Sequence, residues 1–195
     1  MDRRLVVGVV ALLVLTGCSD VAEDDSVRSM TFDEVVAAAE SDGGDAQVEV
    51  LSDGEVTTAE FRHSLENYFG CLEETGLTYI DNGPNPVDGW RPLTEIGWRG
   101  LSDSEGPARD ATCSRANLEY VMLGYELVNE DIMEPALMSS VQSCLGSAGA
   151  EVTGAEQNVD DLLPLGHEDQ ARASLVETCI FQEAASYPYG IILAY

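Results

Sequence analysis

Two copies of the pattern Cys-Leu-x-x-x-Gly constrain this chain more than any other feature: Cys71-Leu72-Glu73-Glu74-Thr75-Gly76 and Cys144-Leu145-Gly146-Ser147-Ala148-Gly149. In each copy apolar side chains precede the cysteine at helical spacing, Leu65 and Tyr68 in the first and Met138 and Val141 in the second. Both cysteines therefore fall on amphipathic helices that a glycine ends. Downstream, each copy meets one further cysteine behind a threonine, Thr112-Cys113 and Thr178-Cys179. A duplicated helix–loop–helix unit accounts for both halves, over about 57–130 and 131–185. Four cysteines allow three pairings. The duplication selects Cys71–Cys113 and Cys144–Cys179, each closing its own unit; a Cys71–Cys144 link would join the equivalent helices instead.

Whether those thiols pair depends on the compartment, and the N-terminus bears on that. Arg3 and Arg4 precede an apolar run of 11 residues, Leu5 to Leu15. This is the size of a signal-peptide core and well short of the ~20 residues a membrane-spanning helix needs. The arginine pair lacks the surroundings of a twin-arginine signal, so general secretion is expected. The run ends in Leu15-Thr16-Gly17-Cys18, which resembles the lipobox of bacterial lipoproteins. That resemblance implies a signal peptide over 1–17, cleavage before Cys18 and a diacylglycerol thioether on its sulfur. Palmitate-class chains would then hold the protein on the extracytoplasmic face of the cell membrane, since two acyl chains anchor stably. The competing reading is an ordinary secretory signal with an incidental cysteine. In an exported chain an even number of remaining cysteines reads as disulfides. A four-cysteine zinc site is disfavoured because no pair has C-x₂₋₄-C spacing.

The formal net charge is −27; losing Asp2, Arg3 and Arg4 with the signal leaves 7 basic against 35 acidic residues, or −28, on 178 residues. That length suits one domain with a real core. Such a charge repels phosphate backbones and anionic headgroups, which argues against nucleic-acid partners. All basic residues are arginine. With abundant Ala, Gly, Val and Asp, this composition suggests a high-GC bacterial genome.

Residues 18–30 are acidic and poor in large apolar side chains, so they read as a solvated tether. Residues 31–195 read as one globular domain. Thr31-Phe32-Asp33-Glu34 fits a capping box opening a helix that stops at Asp42-Gly43-Gly44. Thr57 to Glu60 opens a second helix whose Phe61, Leu65, Tyr68 and Leu72 share a face, ending at Gly76. Residues 81–107, with Pro84, Pro86, Pro92 and Pro107, read as a long loop. A helix is expected over about 108–130 with Leu118, Val121, Met122, Tyr125 and Val128 inward. Pro135 suits the first position of a further helix burying Met138, Val141, Cys144 and Leu145. A last helix is expected over 168–185. The fold class is α+β, mostly α, with about five helices and a minor sheet from segments near 77–80, 95–98 and 190–194.

The run Asp53-Gly54-x-Val56-Thr57-x-x-Glu60-Phe61, then Cys71-Leu72-x-x-x-Gly76 and a lone downstream cysteine, resembles small secreted or lipid-anchored proteins of actinobacterial type. The resemblance covers about 45–180. It implies the extracytoplasmic compartment and disulfides, and brings no activity with it.

Asp53 to Glu60 also looks like the second half of an EF-hand loop, but the expected aspartate positions hold Glu49 and Leu51. Leucine cannot ligate calcium, so a turn plus a helix cap is the expected role and no metal is assigned. Gly89-Trp90-Arg91 recurs as Gly97-Trp98-Arg99, and both tryptophans of the chain lie there. A surface of Trp90, Arg91, Trp98 and Arg99 could stack a sugar ring or grip an anionic or aromatic ligand. The alternative buries the tryptophans and pairs the arginines, with Arg109 and Arg115, against the acidic body. His63 is expected to be solvated and His167 to lie in a polar turn. No G-x-S-x-G, H-E-x-x-H, P-loop or dinucleotide glycine motif occurs. Asp160-Asp161 is an expected neighbour pair in so acidic a chain, and an even cysteine count leaves no free nucleophile. No catalytic residue and no cofactor are assigned. The expected function is a non-enzymatic binding or interaction module of the cell envelope with an envelope-protein partner. The alternative captures a saccharide or small solute at the Trp90/Trp98 loop.

Overall fold

The computed structural model describes residues 30–42, 44–163, 170–188, 190, 191 and 193. The signal segment, Cys18, the tether apart from Met30, and His167 lie outside the described residues. The two helices that carry capping-box signals start where those signals place them. In α1 (Phe32–Ser41) the Glu34 carboxylate accepts from the Thr31 N–H at 2.7 Å, and Thr31 Oγ1 accepts from the Glu34 N–H. A short helix, α2 (Asp45–Leu51), follows. In α3 (Thr58–Glu74) the Glu60 carboxylate accepts from the Thr57 N–H at 2.8 Å, and Thr57 Oγ1 accepts from the Glu60 N–H.

The recurrent Cys-Leu-x-x-x-Gly pattern has one physical cause in both halves. At the end of α3, the Leu77 N–H bonds the Leu72 carbonyl at 2.9 Å and the Gly76 N–H bonds the Glu73 carbonyl. At the end of α6 (Pro135–Ser147), the Ala150 N–H bonds the Leu145 carbonyl at 3.0 Å and the Gly149 N–H bonds the Gly146 carbonyl. These are two Schellman caps, which require a left-handed residue at the same place; Gly76 has φ +80° and Gly149 φ +81°. Leu72 and Leu145, both fully buried, pin the last turns to the core. The downstream threonines match as well. Thr112 Oγ1 donates to the Ala108 carbonyl and Thr178 Oγ1 to the Ser174 carbonyl, one helical turn back in each case. Cys71 is bonded to Cys113 on α4 (Glu105–Asn117), and Cys144 to Cys179 on α8 (Gln170–Ala184). The fold is therefore mostly α, with two disulfide-closed helical units and a small sheet.

The units differ in what joins their helices. In the first, the segments expected near 77–80 and 95–98 pair as an antiparallel hairpin of β1 (Thr78–Pro84) and β2 (Pro92–Gly97) that extends into the segment expected as a loop, with Ile80 opposite Glu95 and Pro84 opposite Pro92. In the second, an irregular stretch and one turn of helix, α7 (Val159–Leu162), fill the gap. The helix α4 starts at Glu105, three residues earlier than expected, because Ser102 and Glu105 exchange side-chain-to-backbone hydrogen bonds. The hairpin turn crosses into the second unit: Val87 is buried in the core built by Met133, Leu137, Val141, Leu145, Val176 and Ile180.

The single helix expected over 108–130 is two. It breaks at Leu118 (φ −132°) between α4 and α5 (Glu119–Val128). The cause is Gln47 on α2, 1% exposed: its amide donates to the Arg115 carbonyl at 2.7 Å and accepts from the N–H groups of Tyr120 (2.8 Å) and Val121 (3.2 Å). It satisfies the terminal backbone groups that a helix break exposes. The break also resets the phase of α5, so Tyr120, Val121, Gly124 and Tyr125 point inward while Val128, expected inside, is 44% exposed. Eight helices are present among the described residues rather than about five. Cys144 is half-buried, not buried. Among the described residues the sheet has two strands. The expected third segment near 190–194 falls partly outside them; Ile191 and Leu193 pack on the second core without strand pairing.

Candidate functional site

One wide face of α3 carries two parallel rows four residues apart: Phe61, Leu65 and Phe69, and beside them Thr58, Arg62 and Glu66. Residues at that spacing stack along a helix surface. Tyr68 and Leu72, on the adjoining flank, are buried. The hairpin stands beside the first row, held there by Tyr79, whose ring stacks on Phe69 at 4.2 Å and 6°. Between helix and hairpin lies a groove of about 350 Å³ with Phe61, Leu65, Phe69, Trp90 and Tyr125 in its lining. Arg62, Glu66 and Asp81 are the charged side chains that line it.

Trp90 forms the groove floor because the turn before it is rigid. Asp88, 4% exposed, accepts from the N–H groups of Trp90 (3.0 Å) and Arg91 (2.9 Å), from the Asn85 side-chain amide, and from Arg91 Nη1. A buried carboxylate with four donors is satisfied, so its burial costs little. Gly89 (φ +81°) lets the linker between α5 and α6, residues 129–134, pass: a Cβ there would sit 2.4 Å from the Ile132 carbonyl oxygen. The linker returns two bonds, Ile132 N–H to Asp88 O and Glu134 N–H to Pro86 O. Trp90 Nε1 then donates to Asp131 at 2.6 Å. Its ring meets Phe61 edge-on at 5.6 Å and Tyr125 at 5.2 Å, while Phe61 and Tyr125 lie 4.8 Å apart. The result is a buried aromatic triad whose outer atoms line the groove.

The four residues singled out in the sequence are not brought together. Trp90 is in the groove. Arg91 lies over the Trp90 ring at 4.7 Å and is paired with Asp88 (3.1 Å) and Glu126 (2.5 Å), which makes it part of the scaffold. Trp98 is half-buried and packs on α4, where a Cβ on Gly106 would come within 2.3 Å of its ring. Arg99 is exposed and does not line the groove. Arg109 donates to the Thr75 carbonyl at the end of α3, and Arg115 lies 3.8 Å from Asp42. A shared Trp90/Trp98 platform with free arginines is therefore not what the chain builds. Phe61, Leu65, Phe69 and Tyr125 line the groove without being singled out by sequence motifs; the four-residue repeat of Phe61, Leu65 and Phe69 beside a second apolar flank is the signal that marks the first three.

The EF-hand-like stretch is a turn and a cap. Asp53 Oδ1 accepts from the Glu55 N–H, and Glu60 is held by its capping box. No cluster of three or more His, Cys, Asp or Glu side chains suited to a metal occurs among the described residues. Two other depressions are polar: one of about 510 Å³ with Ser140, Ser143 and Ser147 beside Cys144, and one of about 530 Å³ with His63, Ser64 and Asn67. No described helix is long and apolar enough to cross a membrane. No protein-family model, curated protein or solved structure matches this chain.

Proposed function

We propose that this protein is a lipid-anchored, non-enzymatic binding module on the extracytoplasmic face of the cell membrane, and that the groove between α3 and the hairpin receives its partner. The observation that carries the binding role is the aromatic triad, Phe61, Trp90 and Tyr125, which together with Leu65 and Phe69 lines the groove between α3 and the hairpin. Concave, mostly apolar sites with a few placed polar groups are where proteins take ligands. The anchor rests on the lipobox resemblance at Cys18, and two structural disulfides fit an oxidising compartment.

Two experiments test the two halves. Cys18→Ala should stop labelling by a palmitate analogue and block processing; normal cleavage and release would leave an ordinary secretory protein. Crosslinking in intact cells followed by purification should capture an envelope protein with the wild type and lose it with Leu65→Glu, which puts a charge in the groove. A small-solute ligand is the second reading, favoured by the groove volume, which lies at the lower end of the range for ligand pockets. In that case the protein would be recovered alone.

A further inference from the structure

Taking the groove as the binding site, we infer that its partner is a basic peptide segment, seated with an apolar side chain among the aromatic rings and Arg or Lys side chains over the rim carboxylates. Three observations point this way. First, shape: the lining runs along α3 from Thr58 to Phe69. At ~1.5 Å rise per residue that is roughly 17 Å, the reach of about five extended residues. A single sugar or amino acid would leave most of that length empty.

Second, local charge. Glu66 is 78% exposed at the rim, and Asp81 commits Oδ1 to the Gly83 N–H at 2.8 Å, with Oδ2 beside it. Arg62 is the one basic side chain of the lining. The nearby Arg91 is neutralised by Asp88 and Glu126. Third, the field of the whole chain: 36 acidic against 9 basic residues repel an anion before it reaches the groove and draw a cation in.

The test uses the full chain in neutral detergent, titrated calorimetrically with three capped pentapeptides. One alternates Arg and Leu, one replaces each Arg by citrulline, and one replaces each Arg by Glu. The basic peptide should bind about fivefold tighter than the citrulline peptide, the acidic one should not bind, and about 0.5 M salt should erase the preference. Glu66→Arg, at an exposed position, should remove about threefold of that preference. Leu65→Glu should abolish binding of the citrulline peptide. If the basic and citrulline peptides bind equally, the charge assignment falls and the groove reading stands. If basic-peptide binding is indifferent to Leu65→Glu, or no peptide binds, the groove reading falls with it.

Discussion

Trp90→Ala is the most informative single change, because Trp90 is at once core and groove floor. The side chain is 7% exposed, so almost its whole surface is removed from water. Truncating a buried aromatic residue costs about 3–5 kcal/mol in lost transfer energy and cavity formation. Two ring pairs, with Phe61 and Tyr125, contribute within that sum at about 0.5–1.5 kcal/mol each. The Nε1–H bond adds about 1 kcal/mol; its acceptor Asp131 is only half-buried and recovers solvation when the donor goes. The groove side lets water reach the new space, which holds the total near the middle of the range, about 4 kcal/mol. For a domain of this size that is a drop of roughly 8–16 °C in Tm. Urea unfolding followed by far-UV circular dichroism measures it. Trp90→Phe should lose about 1–2 kcal/mol, keeping a ring against Phe61 and Tyr125 but not the hydrogen bond. Trp98→Ala, at a half-buried position, should cost less than Trp90→Ala. A Trp90→Ala protein within about 1 kcal/mol of wild type would show that the triad does not hold the fold, and the reasoning fails.

Gln47→Leu leaves the Arg115 carbonyl and the buried Tyr120 and Val121 N–H groups without their partner; at about 1–3 kcal/mol per buried orphan group, a loss of at least about 2 kcal/mol is expected in urea melts, and a neutral change would refute the role of Gln47 at the helix break. The Glu156 carboxyl is held down to about 2, chiefly by the Thr153 backbone N–H. A lowered folded pKa stabilises above the unfolded value and is lost as pH falls through about 2, so the advantage of wild type over Glu156→Gln should shrink between pH 4.5 and about pH 2. A gap that is constant with pH would contradict this. The two disulfides span 42 and 35 residues. Chain-entropy reasoning then assigns each about 4 kcal/mol, so double Cys→Ala variants of either bridge should lose stability to within about 0.5 kcal/mol of each other.

Local chemistry made much of this fold legible. The capping boxes at Thr31 and Thr57 and the Schellman glycines Gly76 and Gly149 act over a few residues, so their signals are written contiguously. The disulfide pairing followed because the duplication carried it. What stayed hidden is long-range. Gln47 breaks a helix whose junction lies 68 and more residues away, and no periodicity near Leu118 announces it. The paired segments near 77–80 and 95–98 were legible as β-prone, but the hairpin's far end was obscured by Pro84 and Pro92, which sit opposite each other at the irregular end of the ladder, where a missing N–H does least harm. Trp90 and Trp98 looked alike as repeated Gly-Trp-Arg, yet tertiary packing separates them: Asp88 and Asp131 orient the first into the groove, and Gly106 receives the second on α4. For Arg91 and Arg99 the sequence supplied charge but not partners, and two carboxylates claimed the former.

Photocrosslinking in living cells tests the groove most directly. A photoreactive amino acid replaces Arg62, exposed at the groove, and in a control replaces Glu177, exposed on α8. A discrete adduct to one envelope protein from position 62, absent from position 177, is the expected result. Adducts of the same pattern from both positions, or an adduct from position 177 alone, would contradict the assignment of the α3–hairpin groove as the binding site.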